Sequence, residues 1–108
     1  MILEIKIWAD INSTGLFDAL GRQISRKETT INKDTWERLQ KWVERYEDVA
    51  LMEIEERSAN SRLVSELDSE GLTLLSEIQK EWPTDKNFNP IKFRYYSEGF
   101  LKYLDKER

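Results

Sequence analysis

The chain has 108 residues, 35% of them charged, 39% hydrophobic and 11% aromatic, with four Trp and a net charge of −4. That length and apolar content exclude a disordered chain and supply one core without covalent staples, so a single domain over residues 1–108 is expected. Cys and His are both absent, which excludes disulfides, thiolate nucleophiles and Cys/His zinc sites and leaves carboxylates, Lys, Tyr and hydroxyls for any acid–base chemistry.

The expectation is therefore a non-enzyme that uses no cofactor and no metal. The opening MILEIKIWAD reaches Glu4 and Lys6 too early for a signal peptide or a membrane span, which points to a cytoplasmic protein with no membrane partner. Its acidic balance disfavours a nucleic-acid phosphate backbone and suits a basic protein partner.

Residues 2–9 alternate, with Leu3, Ile5, Ile7 and Ala9 on one face and Glu4, Lys6 and Trp8, continued by Asp10, on the other, the period of a half-buried strand. Ile11 to Thr30 contains Gly15, Gly21 and several Ser, Thr and Asn. It reads as a long loop anchored by Leu16, Phe17, Leu20 and Ile24, either functional or hiding a short element.

Asn32 is a good helix N-cap, and Asp34 in the first turn suits the positive helix end. From there Trp36, Leu39, Trp42, Val43, Tyr46, Ala50 and Ile54 recur three or four apart, predicting one long helix with that stripe in the core. Its end is placed at the polar run Ser58 to Ser61. A second helix is predicted over Ser65 to Glu81 on Leu67, Leu74, Leu75 and Ile78, stopped by Pro83. Gly71 inside it either permits a close helix approach or marks a later start after Asp68.

After TDKNFNP, the stretch IKFRYYSEGF alternates Ile91, Phe93 and Tyr95 against Lys92, Arg94 and Tyr96, a second strand. The closing FLKYLDKER predicts a short helix on Phe100, Leu101 and Leu104. The order predicts an α+β fold, a small sheet including the N- and C-terminal strands packed against two main helices.

Three groups of residues carry chemistry worth weighing. Asp10 and Asp18 flank the first loop and suit either a divalent ion or an acid–base pair, although turn chemistry is the stronger reading because no third ligand is spaced with them. Lys92, Phe93, Arg94, Tyr95 and Tyr96 mix cations and rings as base-stacking sheets do. Alternation sends Phe93 and Tyr95 away from Lys92 and Arg94, so no nucleic-acid partner is expected. Glu47, Asp48, Glu53, Glu55 and Glu56 place five negative charges within residues 47–56 with no Lys or Arg among them. They form either a plain solvated face or a surface that captures a basic partner.

Four segments together resemble the immunity proteins of bacterial polymorphic-toxin and contact-dependent inhibition systems. They are WADINSTGLFDALGRQIS at Trp8 to Ser25, TWERLQKWVERYE at Thr35 to Glu47, LDSEGLTLLSEIQKEW at Leu67 to Trp82 and the later IKFRYYSE. In order and spacing they look like that group's opening strand, small-residue loop, helix with paired aromatics, Gly-bearing second helix and final strand.

The resemblance implies a non-catalytic protein that binds and blocks a cognate toxin domain, often a nuclease with a basic site. No site residue is carried over from the family. The residues themselves nominate Glu47, Asp48, Glu53, Glu55 and Glu56 as the partner contact, with Asp10, Asn12 and Asp18 of the first loop adding shape-specific contacts. Two rival readings stand beside it, a metal-using hydrolase built on Asp10 and Asp18, and a structural interaction subunit. The sequence sets no oligomeric state.

Overall fold

The alternation at the start becomes strand β1 (Leu3–Trp8), in which Ile5 and Ile7 are fully buried while Glu4, Lys6 and Trp8 are half-buried. The computed structural model describes residues 3–104. β1 pairs in parallel with β3 (Ile91–Ser97), setting Ile5 beside Phe93 and Ile7 beside Tyr95, so one face of this central pair is continuously apolar. The segment expected to be a loop holds β2 (Leu16–Asp18), antiparallel to β1, and a 3-10 turn at Arg26–Glu28. β4 (Lys102–Tyr103) pairs antiparallel with β3, completing a four-stranded sheet of order β2-β1-β3-β4.

Helices cover the inner face of the sheet. α1 (Lys33–Ala50) starts as expected at Asn32, whose Oδ1 accepts the Thr35 amide at 2.8 Å. It buries Leu39, Trp42, Val43, Tyr46 and Val49; of the predicted stripe, Trp36 and Ala50 are only half-buried, and Val49 joins it instead. A short α2 (Ile54–Ala59) follows, and then α3 (Ser61–Glu81), which adds Val64, Leu67, Leu74 and Ile78 to the same core. The fold is α+β, with N- and C-terminal strands in one mixed sheet against the helices.

Gly71 lies inside α3 and allows a close approach. A Cβ there would come within 2.4 Å of the Tyr95 hydroxyl and 2.6 Å of the Trp42 ring, so only Gly fits where α3 crosses α1 and β3.

Four expectations are corrected. The main helix ends at Ala50 rather than near Ser58, and Ile54, assigned to its buried stripe, is 66% exposed because the bend shifts the phase. α3 begins at Ser61, four residues before the expected Ser65. Leu20 is no anchor: it projects from a hairpin tip at 95% exposure.

The closing segment also reverses into β4 instead of forming a helix. The cause is tertiary. The Gly99 amide donates to the Tyr46 hydroxyl at 3.0 Å, the Phe100 amide to Ser97 Oγ at 3.0 Å and the Leu104 amide to the Tyr95 carbonyl at 3.0 Å, which folds the chain back. The last four residues of that predicted helix, 105–108, and residue 2 of the first predicted strand lie outside the described residues.

Candidate functional site

The bend between α1 and α2 contains neither Gly nor Pro. It is held by Arg57. Its Nη2 donates to the Ala50 carbonyl at 2.9 Å and its Nε to the Met52 carbonyl at 3.1 Å, which satisfies carbonyls left over at the end of α1 and suits the negative helix pole. Nη1 reaches the Glu98 carbonyl at 2.5 Å and Oε2 at 2.9 Å, while the other oxygen of Glu98 accepts the Trp8 indole at 3.0 Å. Arg57 and Glu98 are each only 13% exposed, so β1, the β3–β4 turn and the helix bend are joined through one shielded charge pair.

This arrangement decides the charge of the surface outside it. Arg57 is the cation nearest in sequence to the acidic run, and it is engaged inward. Among the described residues, none of Glu47, Asp48, Glu53, Glu55 and Glu56 forms an ion pair, whereas Glu4, Asp18, Glu28, Asp34, Glu37, Glu66, Glu70, Glu77 and Glu98 all do. Asp48, Glu53, Glu55 and Glu56 are exposed and Glu47 is half-buried.

Glu44 belongs with them. It is exposed and unpaired, and with Glu47, Asp48 and Leu51 it falls three to four apart on the outer stripe of α1. The spacing was visible in the sequence, but a window beginning at Glu47 passed over it.

Sequence reasoning also missed the apolar part of this corner. Leu51 is 72% exposed, Ile54 66%, Leu101 49% and Phe100 39%. Between them lies a cleft of about 330 Å³ with Ile54, Arg57, Ser58 and Ser61 on the helical side and Gly99, Phe100 and Leu101 on the turn side.

The loop residues named from the sequence are not brought together. Asp10 and Asn12 follow β1 on the sheet edge from which the β3–β4 turn also leaves, since Trp8 stands opposite Tyr96. They therefore share an end with the cleft. Asp10 Oδ1 accepts the Ile11 amide at 3.0 Å, and Asn12 takes a left-handed φ of 56° that Asn tolerates in turns.

Asp18 instead pairs opposite Ile5. Five residues of extended chain separate Ile5 from Asp10, roughly 16 Å, so the two carboxylates do not face a common ion or substrate. Asp18 closes its own hairpin, accepting the Leu20 and Arg22 amides at 2.9 Å on Oδ1 and Arg22 Nε at 3.1 Å on Oδ2. Those bonds, the Arg22 amide first, hold its carboxyl below the usual range, the wrong direction for a general acid. Among the described residues no cluster of three or more Asp and Glu suits a metal ion.

The open face of the sheet keeps the expected alternation, with Phe93 and Tyr95 inward and Tyr96 on the outer face with Arg94. Lys6, Trp8 and Tyr103 join them, so rings and cations share that face after all. Lys6 Nζ lies 4.9 Å from the Trp8 ring and 5.7 Å from that of Tyr96, and the Arg94 guanidinium lies 4.1 Å from the Tyr103 ring. The rings meet edge to face, Tyr96 with Tyr103 at 5.1 Å and with Trp8 at 5.7 Å. The chain's own cations thus occupy the ring faces on which a base would stack.

One more polar cluster lies inside. Asp68, 2% exposed, accepts Tyr46 at 2.8 Å and Tyr95 at 2.7 Å on Oδ1, and Ser97 at 2.7 Å on Oδ2. Burial above all raises both tyrosine hydroxyls well beyond their ordinary range, and no solvent path reaches them. The cluster is a buried joint between α1, α3 and β3.

These features define a class, a mixed-sheet α+β protein with helices on one face, a self-covered outer face and an unpaired acidic corner beside an apolar cleft. Comparison of the chain with protein-family models, with curated proteins and with solved structures returns no match in any of the three. No helix among the described residues is long and apolar enough to cross a membrane.

Proposed function

We propose that the chain is a non-catalytic, immunity-type protein that neutralises a cognate bacterial toxin domain in the cytoplasm by direct protein–protein contact, the partner being basic and of the nuclease type. The observation that carries this reading is that, among the described residues, Glu47, Asp48, Glu53, Glu55 and Glu56 form no ion pair while most of the other exposed carboxylates do. Like charges left together repel one another, a cost that a Lys- and Arg-rich surface relieves, and such complementarity speeds encounter and selects the partner. The resemblance of Trp8 to Ser25, Thr35 to Glu47, Leu67 to Trp82 and Ile91 to Glu98 to immunity proteins supports the same role. Asp10 and Asn12, at the same edge of the sheet, extend the contact.

Co-expression with the C-terminal domain encoded by a toxin-sized neighbouring reading frame tests it. A complex forms that protects cells from that domain. Replacing Glu53, Glu55 and Glu56 together by Lys slows association about tenfold or more at low salt and much less at 0.5 M salt, where charges about 4 Å apart or farther are screened. Failure of that domain to bind, or an association rate unmoved by the triple reversal, removes the reading.

A further inference from the structure

The cleft between α2 and the β3–β4 turn has three properties that ordinary surface does not combine. Its mouth carries apolar side chains on both sides: Ile54 on one and Phe100 and Leu101 on the other are 66%, 39% and 49% exposed. Isolated exposed apolar residues need no explanation, but several around one concavity mark a contact site.

Leu101 also holds a left-handed φ of 56°. A turn at that position ordinarily takes Gly or Asn, so a Leu is unfavourable both for the backbone and for solvation. The turn itself is fixed by the amides of Gly99 and Phe100, and about half of the Leu101 side chain stays in water.

The walls are preorganised as well. Arg57 ties α2 to Glu98 on the turn, and Gly99 sits so close to α3 that a Cβ would lie 2.3 Å from a Val64 methyl. Arg57, which lines the cleft, has its charge paired with Glu98 and donates to the Ala50, Met52 and Glu98 carbonyls.

The charge at the rim selects the occupant. Glu53, the extended residue that precedes α2, and Glu55 in its first turn flank Ile54 in the chain, and both are exposed. Neither forms an ion pair among the described residues. We infer that the cleft receives an apolar side chain, of Leu or Met size, carried on a Lys- or Arg-flanked segment of the partner protein. Leu101 and Ile54 grip the side chain, and Glu53 and Glu55 meet the flanking cations. The inference rests on the proposed binding role and adds the anchor to it.

The test uses the whole protein and two synthetic peptides of identical Lys and Arg content, one with a central Leu and one with Ser in its place, followed by methyl NMR and by calorimetry. The Leu peptide shifts the methyl signals of Ile54 and Leu101 and binds roughly tenfold tighter than the Ser peptide, the scale of one apolar side chain in a pocket. Leu101→Asn removes that advantage while Tm stays equal or rises, because Asn suits the left-handed backbone. A merely structural Leu101 would move Tm and leave the preference for the Leu peptide intact, which overturns the inference.

Equal binding of the two peptides also overturns it, leaving a purely electrostatic surface. Self-association by sedimentation that Leu101→Asn abolishes assigns the cleft to a second copy instead, and likewise overturns it. The proposed function fails separately: it is lost if the toxin domain does not bind at all, and it survives if that domain binds Leu101→Asn as well as it binds the native chain.

Discussion

The seam around Asp68 and the corner around Glu53 use similar residue types in opposite ways. In the seam, Trp42, Tyr46 and Tyr95 are 0% exposed, the Trp42 indole donates to the Leu67 carbonyl at 2.8 Å, and no buried polar side-chain atom lacks a partner. In the corner, carboxylates lie beside exposed Leu51 and Ile54 with neither charge nor apolar surface satisfied. A fold completes its own contacts wherever it can, so the place where it leaves both kinds of group open is where an outside partner has something to add.

The comparison breaks first at Asp68. Asp68→Ala leaves two tyrosine hydroxyls and Ser97 without their shared acceptor and should lower unfolding free energy by about 3 kcal/mol in chemical denaturation. A loss under about 1 kcal/mol would mean that the seam is not the joint described.

The Asp18 hairpin sharpens the comparison, being exposed like the corner yet fully bonded like the seam. Its carboxyl is held below the ordinary range, so its contribution is present above about pH 4, the unfolded value, and fades as pH falls through the lower folded value. The protection of the Leu20 and Arg22 amides, measured as exchange relative to the intrinsic rate at each pH, should fall below pH 4 in the native chain and be low at all pH values in Asp18→Ala. Protection that does not change on acidification would contradict it.

The smallest effect belongs to the corner. Ile54→Ser should change stability by no more than about 0.5 kcal/mol, because the side chain is already in water, and a larger loss would place Ile54 in the core after all.

Much of this was legible in the residues themselves. The strand alternation at Leu3 to Trp8 and Ile91 to Ser97, the Asn32 cap and the stripe from Leu39 to Tyr46 follow local periodicity and capping chemistry, and the structure matches them. The misplaced features depend on partners far along the chain. The helix bend at Leu51 to Glu53 exists because Arg57 finds Glu98, 41 positions away, so a period of 3.6 read through it carried Ile54 into the core by mistake. Phe100, Leu101 and Leu104 have helical spacing, yet amides bound to Tyr46 and Ser97 turn them into a hairpin. β2 has three residues and β4 two, too short for alternation to register. The acidic run was plain in the sequence, whereas the cleft beside it arises only when α2 and the β3–β4 turn are brought together.

The parallel pairing of β1 with β3 has a consequence for how the protein is made. The two strands at the centre of the sheet come from opposite ends of the described chain, and the Trp8–Glu98 bond joins residues 90 positions apart. During synthesis β1 has only the three-residue β2 to pair with until β3 has emerged, so the helices form before the centre of the sheet closes. A chain cut before residue 91 would leave Ile5, Ile7 and the inner faces of α1 and α3 without β3 to cover them. The acidic corner, fixed by Glu98, would take shape only once β3 has docked beside β1.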